Sequence, residues 1–519
     1  MLTSCIIPFA GRRGRQPCLI STEYRIDTGP ATKAHCSGMA KHKTLSRYSG
    51  PLLLGIGFFN GLNIMDYKDF IESKTHSSIN HGIEPKYLPD CLFNYQRYVS
   101  EWAIKKGRGA VFLDTGLGKT LIELVTAVNY NRHTNKPVLI ITPLAVAFQF
   151  IKESQKFDIG DIEYSKDGSY NSDIVVCNYE RLIKFDSNDF DCVILDESSI
   201  LKNFDGKIKT RITSFLRKVK YRFLFTATPS PNDFVELGTS SEALGYMGHM
   251  DMLSKFFTNN EGNAVKPQNI GTKWKLKGHA RQAFFKWVSS WSISMRKPSD
   301  LGFPDKGFEL PELITNEHIV KNDKPLCIDG QMQMFNVVAR RLTEIRTERK
   351  MTREKRCNKA VELAKDQPVS VYWCNYNNEA DLLEKLDSDA IQIQGRMNVD
   401  EKEEILLAFA EGDITKLVTK PSMTAFGLNW QHCNHTVYFP TFSYESYYQA
   451  IRRFWRFGQD SEVVCDLVYS DGQKRVMDAL KAKAKKADEL FDKLNSNLNS
   501  EFNDSDTNAN QSIKTPEFL

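Results

Sequence analysis

The segment from Leu113 to Thr120 has the residue types of a phosphate-binding loop; it reads Leu-Asp-Thr-Gly-Leu-Gly-Lys-Thr. It follows a predicted strand and opens a predicted helix. In that position the backbone N–H groups of a glycine-rich turn surround phosphates, a lysine neutralises their charge, and a hydroxyl contacts Mg²⁺. We therefore predict that the chain binds a nucleoside triphosphate and Mg²⁺. The binding residues are predicted to be Gly116, Leu117, Gly118, Lys119 and Thr120.

Two carboxylates, Asp196 and Glu197, follow a second apolar run. Carboxylates at the end of a buried strand are costly unless they serve a function or enter a solvated turn. Beside a phosphate-binding loop, one carboxylate can hold Mg²⁺, directly or through water, and the next can activate the attacking water. We predict that Asp196, with Thr120, holds the metal and that Glu197 is the base.

Two further segments carry residues that could contact the nucleotide. Gln96 offers one donor and one acceptor to an adenine ring, although a lone glutamine is usually polar surface. The segment from Phe225 to Asn232 contains a Thr-x-Thr-Pro turn after a predicted strand. The hydroxyls of Thr226 and Thr228 could couple the nucleotide site to other parts of the molecule.

The segment from Gln449 to Gln459 places Arg453 and Arg456 on one helix face. Two guanidiniums directed at a triphosphate would stabilise the charge that develops in phosphoryl transfer, an effect worth about 10³–10⁵ in rate. A basic helix facing solvent is the alternative, and it suits Arg452 better than the other two arginines. Trp455 is expected to pack against the core or an arginine.

Short apolar runs that alternate with helical segments must position these residues. This pattern is typical of parallel sheets covered by helices on both faces. The runs predict strands over 109–113, 137–142, 174–178, 192–196 and 221–226, and a second series over 370–374, 390–394, 414–419, 435–439 and 463–468. We therefore predict an α/β chain with two tandem P-loop-type domains and a mostly helical insertion and linker between them.

Shifts in composition give the expected domain boundaries. They are a disordered or mis-started extension over 1–64, a first domain over 65–240, an insertion and helical linker over 241–355, a second domain over 356–470, a C-terminal helix over 471–494 and a disordered tail over 495–519. Residues 1–64 carry eight Lys/Arg against two acids. Either Met65 is the functional initiator, or these residues form a disordered basic arm.

The composition excludes several classes of protein. The chain has 519 residues with 26% charged and 41% hydrophobic, and its net charge of +5 resides in residues 1–64. The longest apolar stretch, from Pro51 to Phe59, is far shorter than the ~20 residues that span a bilayer. Eleven cysteines without a Cys-x-x-Cys pair argue against a zinc ribbon or a disulfide scaffold. We predict reduced thiols and no membrane segment.

Three weaker signals have simpler explanations. His432, Cys433 and His435 are too few and too close for a four-ligand metal site. Residues 340–356 hold eight Lys/Arg and three Glu, which suits a solvated helix as well as one that follows a phosphate backbone. The tryptophans of the insertion are expected to fill a small core rather than to stack on bases; they are Trp274, Trp287 and Trp291.

The motifs occur in the order found in superfamily 2 DEAD/DEAH-box-like helicases, and they most resemble the Swi/Snf-type ATPases. The phosphate loop resembles the family's DEMGLGKT, with Asp114-Thr115 in place of the acidic pair. TATPSPN followed by Glu236-Leu237 resembles TGTPLQN…EL. Met295–Asp300 with Leu310-Pro311 resembles the LRR-K-S-D…LP linker. The resemblance extends from about residue 90 to about residue 470.

This resemblance implies two RecA-like domains that hydrolyse ATP with Mg²⁺ and move along double-stranded DNA. It implies that Gln449, Arg453 and Arg456 complete the site across a cleft. It also implies nucleic-acid contacts by Gly427 and Asn429, in a segment where Ala425 replaces the family's first glycine.

Two further features bear on the type of family member. DESS replaces DEAH, so Ser199 takes over the role of the histidine or the role is omitted. The compact chain looks closest to stand-alone ATPases of phages and bacteria, which gives an expected cytoplasmic location in a bacterial cell or a phage-infected host.

Three other functions remain as alternatives. An RNA helicase is disfavoured because the linker and final helix resemble the DNA-translocating group. A nucleic-acid-binding scaffold switched by ATP would not need both Glu197 and the paired arginines. The motor subunit of a restriction or defence complex predicts a partner nuclease.

Overall fold

The computed structural model describes residues 80–202, 206–259, 274–322, 327–328, 331–332, 342–421, 423 and 430–509. Contacts divide the chain into two compact units, residues 1–65 and 66–519. The two domains discussed below both belong to the second unit. The predictions for residues 1–64 and for Gly427 and Asn429 lie outside the described residues.

The first domain is built on a parallel seven-stranded sheet with strand order β3-β4-β2-β5-β6-β1-β9. Its strands, together with the antiparallel pair β7 and β8, are β1 (Arg108–Leu113), β2 (Val138–Thr142), β3 (Ile162–Tyr164), β4 (Ile174–Asn178), β5 (Cys192–Leu195), β6 (Tyr221–Thr226), β7 (Phe257–Asn259), β8 (Trp274–Leu276) and β9 (Ser292–Met295). Its helices are α1 (Asn94–Lys106), α2 (Lys119–Thr134), α3 (Leu144–Phe157), α4 (Lys207–Leu216), α5 (Leu237–Leu244), α6 (His249–Phe256) and α7 (Arg281–Ser289).

The second domain has a parallel six-stranded sheet with strand order β10-β17-β16-β13-β15-β14. Its strands, together with the short pair β11 and β12, are β10 (Leu313–Val320), β11 (Cys327–Ile328), β12 (Gln331–Met332), β13 (Ser370–Trp373), β14 (Ala390–Gln392), β15 (Lys416–Thr419), β16 (His435–Tyr438) and β17 (Val463–Ser470). Its helices are α8 (Leu342–Met351), α9 (Arg353–Ala364), α10 (Asn377–Leu386), α11 (Val399–Glu411), α12 (Tyr444–Ile451) and α13 (Lys474–Ala509).

The central strands are buried along their whole length, which explains why they read as continuous apolar runs. Every residue of β2, β4, β5 and β6 is buried. A parallel sheet with helices on both faces leaves no solvated side that would select polar residues. All ten predicted strands are present, and the α/β class with two parallel sheets is confirmed.

The region expected to be an insertion and linker contributes a strand to each sheet. β9 pairs with β1, and β10 pairs with β17. The first sheet therefore extends past residue 240, and the second begins before residue 356. Two serines interrupt the apolar pattern of β9, and β10 is an edge strand with exposed polar residues, so neither strand had a clear sequence signal.

The segment 340–356 does not form one basic helix, because α8 ends at Met351 and α9 begins at Arg353. Arg356 is 1% exposed and its Nη2 lies 2.7 Å from Oε1 of Glu379. Arg349 donates to the backbone carbonyl of Pro440 at 2.6 Å. These two arginines hold the second domain together and are neither solvated nor free to follow a phosphate backbone.

The tryptophans of the insertion serve as core residues, as predicted. Trp287 and Trp291 are buried, and Trp274 packs against the same apolar cluster. Neither indole of the buried pair is available to stack on a base.

The last helix, α13, contacts both domains and runs beyond the expected end at residue 494. Met477 and Leu480 pack in the core of the second domain. Leu490, Phe491 and Leu494 pack in the core of the first. The helix therefore ties the two domains together, and it covers residues up to Ala509 that were expected to belong to a disordered tail.

Among the described residues, no helix is long and apolar enough to cross a membrane. No group of three or more His, Cys, Asp or Glu side chains there is arranged to hold a metal ion. His435, one of the residues considered for a metal site, instead contacts Ser370 and Asp466.

Candidate nucleotide site between the two domains

The phosphate loop connects β1 to α2 and depends on two glycines in the left-handed region. Gly116 has φ 85° and Gly118 has φ 72°, where a side chain would be strained. A Cβ on Gly116 would lie 2.8 Å from the ring of Phe457, and one on Gly118 would collide with the amide of Gln96. The glycines therefore allow both the loop conformation and the close approach of its neighbours.

Lys119 and Leu117 have specific positions within this loop. Nζ of Lys119 donates to the carbonyls of Leu113 at 3.1 Å and Asp114 at 3.2 Å, so the ammonium group lies over the loop. The Leu117 side chain is buried in the core. Only the backbone of Leu117 is thus available for the predicted contact with a nucleotide.

The acidic pair follows β5, as predicted. Asp196 accepts from the Thr142 hydroxyl at 2.8 Å and from the N–H of Glu197 at 2.8 Å. Glu197 has φ 45°, an uncommon backbone conformation that is often found at functional sites. The Thr226 hydroxyl donates to Glu197 at 3.3 Å and accepts from the N–H of Thr228 at 3.0 Å. The Thr-x-Thr-Pro turn is therefore connected to the predicted base.

Burial changes the pKa values of the acidic pair. It raises the pKa of Asp196, and burial together with the Asp196 carboxylate raises the pKa of Glu197. The Lys119 ammonium opposes both shifts. A carboxylate whose pKa lies closer to neutrality is a better proton acceptor than an exposed one.

Gln96 lies beside the loop, but its amide already has partners in the protein. Its Nε2 donates to the carbonyl of Leu117 at 3.2 Å, and its Oε1 accepts from the N–H of Phe93 at 3.0 Å. An amide group has a second N–H and a second lone pair. The adenine contact stays a prediction that would use these remaining groups.

The predicted arginines come from the second domain and face the same cleft, but they do not lie on a helix face as predicted, because α12 ends at Ile451 and both arginines follow it. Burial and the neighbouring Arg456 lower the pKa of Arg453 to about 10. Burial, with Arg452 next to it, also lowers the pKa of Arg456. The Nε atoms of Arg453 and Arg456 are buried without a hydrogen-bond partner in the described structure. Half-buried arginines whose buried Nε donors are unused suit a site that receives an anion.

One cavity of about 590 Å³ brings these groups together. Its lining includes the following predicted residues: Gln96, Gly116, Gly118, Lys119, Thr120, Asp196, Glu197, Gln449, Arg453 and Arg456. The volume suits a nucleotide. Backbone amides, a lysine and two arginines fit phosphates, while the Thr120 hydroxyl and the Asp196 carboxylate are the oxygen ligands that Mg²⁺ prefers.

Arg452 contradicts the expectation that it faces solvent. It is 9% exposed, and it forms an ion pair with Asp114 of the phosphate loop. The Tyr448 hydroxyl also donates to Asp114. The prediction failed because the partner of Arg452 lies in the other domain, far away in the sequence.

Ser199, which stands where related motifs have histidine, contacts the second domain. Its hydroxyl donates to Glu445 on α12 at 2.7 Å. Lys202 pairs with the same carboxylate. The DESS motif therefore contacts Glu445 of the second domain across the cleft, although it has no histidine. The sequence did not predict this contact.

Glu123 is a further residue that the sequence did not single out. It lies one turn after Lys119 on α2, it is fully buried, and both of its carboxyl oxygens lack a hydrogen-bond partner in the described structure. Burial, with Asp196 nearby, raises its pKa well above the ordinary value.

A helicase-type ATPase core is defined by a phosphate loop after β1, an acidic pair after β5 of the same sheet, and arginines from a second domain. Residues 95–241 match the model of the SNF2-related domain, and residues 353–458 match the helicase conserved C-terminal domain. The chain belongs to the SNF2-type ATPases of helicase superfamily 2, whose core consists of two RecA-like domains.

Curated relatives cover only part of the chain. A SWI/SNF-related matrix-associated actin-dependent regulator of chromatin subfamily A-like protein 1 from Xenopus tropicalis is 27% identical over 164 residues. The DNA annealing helicase and endonuclease ZRANB3 from Bos taurus is 27% identical over 180 residues. Each match covers 30% of this chain and 17% of the relative, so this chain matches about a sixth of the relatives' length.

A solved structure, the Sulfolobus solfataricus SWI2/SNF2 ATPase core in complex with dsDNA, is also similar. It is 18% identical with a TM-score of 0.38, and the match covers 79% of this chain and 98% of that one.

Proposed function

We propose that this protein is a double-stranded DNA translocase that hydrolyses ATP between its two domains. The observation that supports this most strongly is the single cavity that joins the phosphate loop and acidic pair of one domain to Arg453 and Arg456 of the other. A site divided in this way works only when the domains are together. ATP hydrolysis is therefore linked to their relative movement.

In the proposed reaction each group has a defined role. Backbone N–H groups of the phosphate loop and the Lys119 ammonium bind the phosphates, and Thr120 and Asp196 would hold Mg²⁺, which supplies positive charge against the triphosphate. Glu197 accepts a proton from the attacking water. Arg453 and Arg456 stabilise the charge that develops during transfer.

Hydrolysis is coupled to movement through one contact within the first domain and one that crosses the cleft. Thr226 connects Glu197 to the Thr-x-Thr-Pro turn, and Ser199 connects the acidic motif to Glu445. Opening and closing of the cleft would then change the grip on DNA. Contacts to phosphates rather than base edges would make DNA binding independent of sequence and sensitive to salt.

Double-stranded DNA is proposed as the track because the motifs resemble the DNA-translocating group, and because one of the partial relatives is described as a DNA annealing helicase. Strand separation is a further step that this proposal does not include. A location in the cytoplasm of a bacterial cell or a phage-infected host stays a prediction.

The test measures ATP turnover by the wild type and Glu197→Gln without nucleic acid and with single-stranded DNA, duplex DNA or RNA, over a salt series. We expect duplex-stimulated turnover that the variant loses by at least about 10²-fold, with nucleotide binding retained. Stimulation by RNA alone would favour an RNA helicase. Nucleotide binding without turnover under any condition would favour an ATP-switched scaffold.

A further inference from the structure

We propose that Arg452 is a positioning residue for ATP hydrolysis, because its pairing with Asp114 holds the phosphate loop against the helix end that carries the catalytic arginines. This inference rests on the proposed function and adds to it. Arg452 belongs to the second domain and Asp114 to the first, so the pair forms only when the cleft is closed.

Asp114 is held by both domains at once. Its carboxylate is 2% exposed, and Oδ1 accepts from the N–H of Thr115 at 2.6 Å within the phosphate loop. The same carboxylate accepts from the Tyr448 hydroxyl and pairs with Arg452. Any shift of α12 is therefore transmitted directly to the turn that surrounds the phosphates.

Arg452 is fixed by more than its charge. Its guanidinium lies 4.3 Å from the centre of the Trp455 ring and 5.2 Å from that of Tyr448. The Trp455 indole in turn donates to the carbonyl of Pro311 at 2.7 Å, in the segment that connects the two domains. These contacts with two aromatic rings restrict the movement of the guanidinium, which suits it for directional pairing.

The position of Arg452 in the chain gives the pair its effect on catalysis. Arg452 follows the last residue of α12, Arg453 comes next, and Arg456 lies three residues further along the chain. Anchoring Arg452 on the phosphate loop therefore fixes the backbone from which both catalytic arginines extend. Misplacing a catalytic group by as little as 1 Å can reduce turnover by about 10²-fold.

Because both charges are buried, the contact between Arg452 and Asp114 is specific to the closed cleft. Two paired charges in a buried site gain little net stability, because both were hydrated before pairing. Removing one partner leaves the other buried without a counter-ion, which is strongly unfavourable. The closed cleft thus depends on both partners being present.

The test compares Arg452→Met, Asp114→Asn and the double variant with the full-length wild type. For each protein, kcat, KM for ATP and the Kd of a non-hydrolysable ATP analogue are measured. Hydrogen exchange of the peptides over 113–121 and 444–459 is followed with and without the analogue. Lys486→Met is the matched control, since Lys486 pairs with Asp233 between α13 and the first domain, outside the nucleotide cavity.

We expect Arg452→Met to lower kcat about 10–100-fold, to change the Kd of the analogue less than threefold, and to abolish analogue-induced protection of the 444–459 peptide. The double variant is expected to be no slower than Arg452→Met, and Lys486→Met is expected to behave as the wild type. Additive losses in the double variant, or a kcat within twofold of wild type in both single variants, would overturn the proposal. If the wild type itself does not turn over ATP, the proposed function fails. The Asp114–Arg452 pairing is then still decided by whether the loss of protection in the double variant is smaller than the sum of the losses in the two single variants.

Discussion

The Glu123 carboxyl is unusual because it is buried beside the acidic pair and yet has no hydrogen-bond partner in the described structure. Burial, with the Asp196 carboxylate nearby, raises its pKa well above the ordinary value, which favours the neutral form. A neutral carboxyl and an amide have nearly the same size, and neither carries a charge.

We therefore predict that Glu123→Gln changes kcat less than threefold and the free energy of unfolding by less than about 1 kcal/mol. Glu197→Gln, measured in the same ATPase assay, provides the contrasting loss. A 10²-fold loss in Glu123→Gln would show instead that an ionised Glu123 takes part in hydrolysis.

A second buried carboxylate, Asp466, lies in a hydrogen-bonded network of the second domain. Its oxygens contact His435 at 3.0 Å, His318 at 2.9 Å and Asn316 at 3.1 Å. Ser370 contacts the other ring nitrogen of His435 at 2.8 Å. Serine, histidine and aspartate are connected as in a hydrolase triad, but the serine is fully buried, so the network is structural.

The pKa of Asp466 predicts a pH dependence of stability. Burial raises this pKa, but hydrogen bonds from His435, His318 and Asn316 outweigh burial and lower it from 3.8 to about 2. A lowered native pKa stabilises the fold fully above the unfolded value and progressively less as the pH falls through the native one.

In urea unfolding, we expect Asp466→Asn to lose about 2 kcal/mol from this linkage at pH 7 and roughly half as much at pH 3. Asp492→Asn, at an exposed position of α13, is the control and should show no such change. An equal difference between wild type and Asp466→Asn at both pH values would contradict the assignment.

At the residue scale, the sequence predicted those site residues that belong to a short motif of known chemistry. Lys119, Thr120 and the acidic pair could be assigned because the residues of each motif are close together in the chain and their types indicate their role. Arg452 and Ser199 could not be assigned, because their partners Asp114 and Glu445 lie in the other domain. Only the folded chain brings such pairs together.

At the scale of elements, strands with apolar residues on both faces were predictable and the others were not. β9 is buried but contains Ser292 and Ser294, whose hydroxyls have partners only in the folded protein. β10 is an edge strand whose outward side chains read as a polar loop. The periodicity of apolar residues indicates which residues are buried. It therefore does not predict a buried strand that contains polar residues or an exposed edge strand.

The helix α13 allows a prediction at this scale, because its second half packs in the core of the first domain. Phe491 is 4% exposed there, and the Arg296 guanidinium lies 4.6 Å from the centre of its ring. Phe491→Ala removes a large side chain from a closed core.

We expect Phe491→Ala to destabilise the protein by about 3 kcal/mol and to uncouple ATP turnover from DNA, since the helix ties the domains together. Its neighbour Asp492 is exposed, and Asp492→Ala should leave both quantities unchanged. Thermal unfolding and DNA-stimulated ATPase assays measure the two effects. Equal stability of the two variants would show that the helix end does not contribute to the core.

At the scale of the whole molecule, charge is concentrated in residues 1–64. This segment carries a net +6, and the remainder of the chain is close to neutral. All the nucleotide-site residues discussed above lie in the second unit, so their chemistry should not require the first.

We therefore predict that a chain beginning at Met65 keeps the kcat of the full-length protein within about twofold at saturating DNA.

The salt dependence of duplex binding separates the two explanations for residues 1–64, because each lysine or arginine that neutralises a phosphate steepens the dependence of log K on log salt by about one. A basic arm that binds DNA would give the full-length chain a slope several units steeper than that of the shortened chain, whereas an over-extended start would give equal slopes. A large loss of kcat on shortening would contradict both explanations, because it would mean that the two domains need the first 64 residues to complete the nucleotide site.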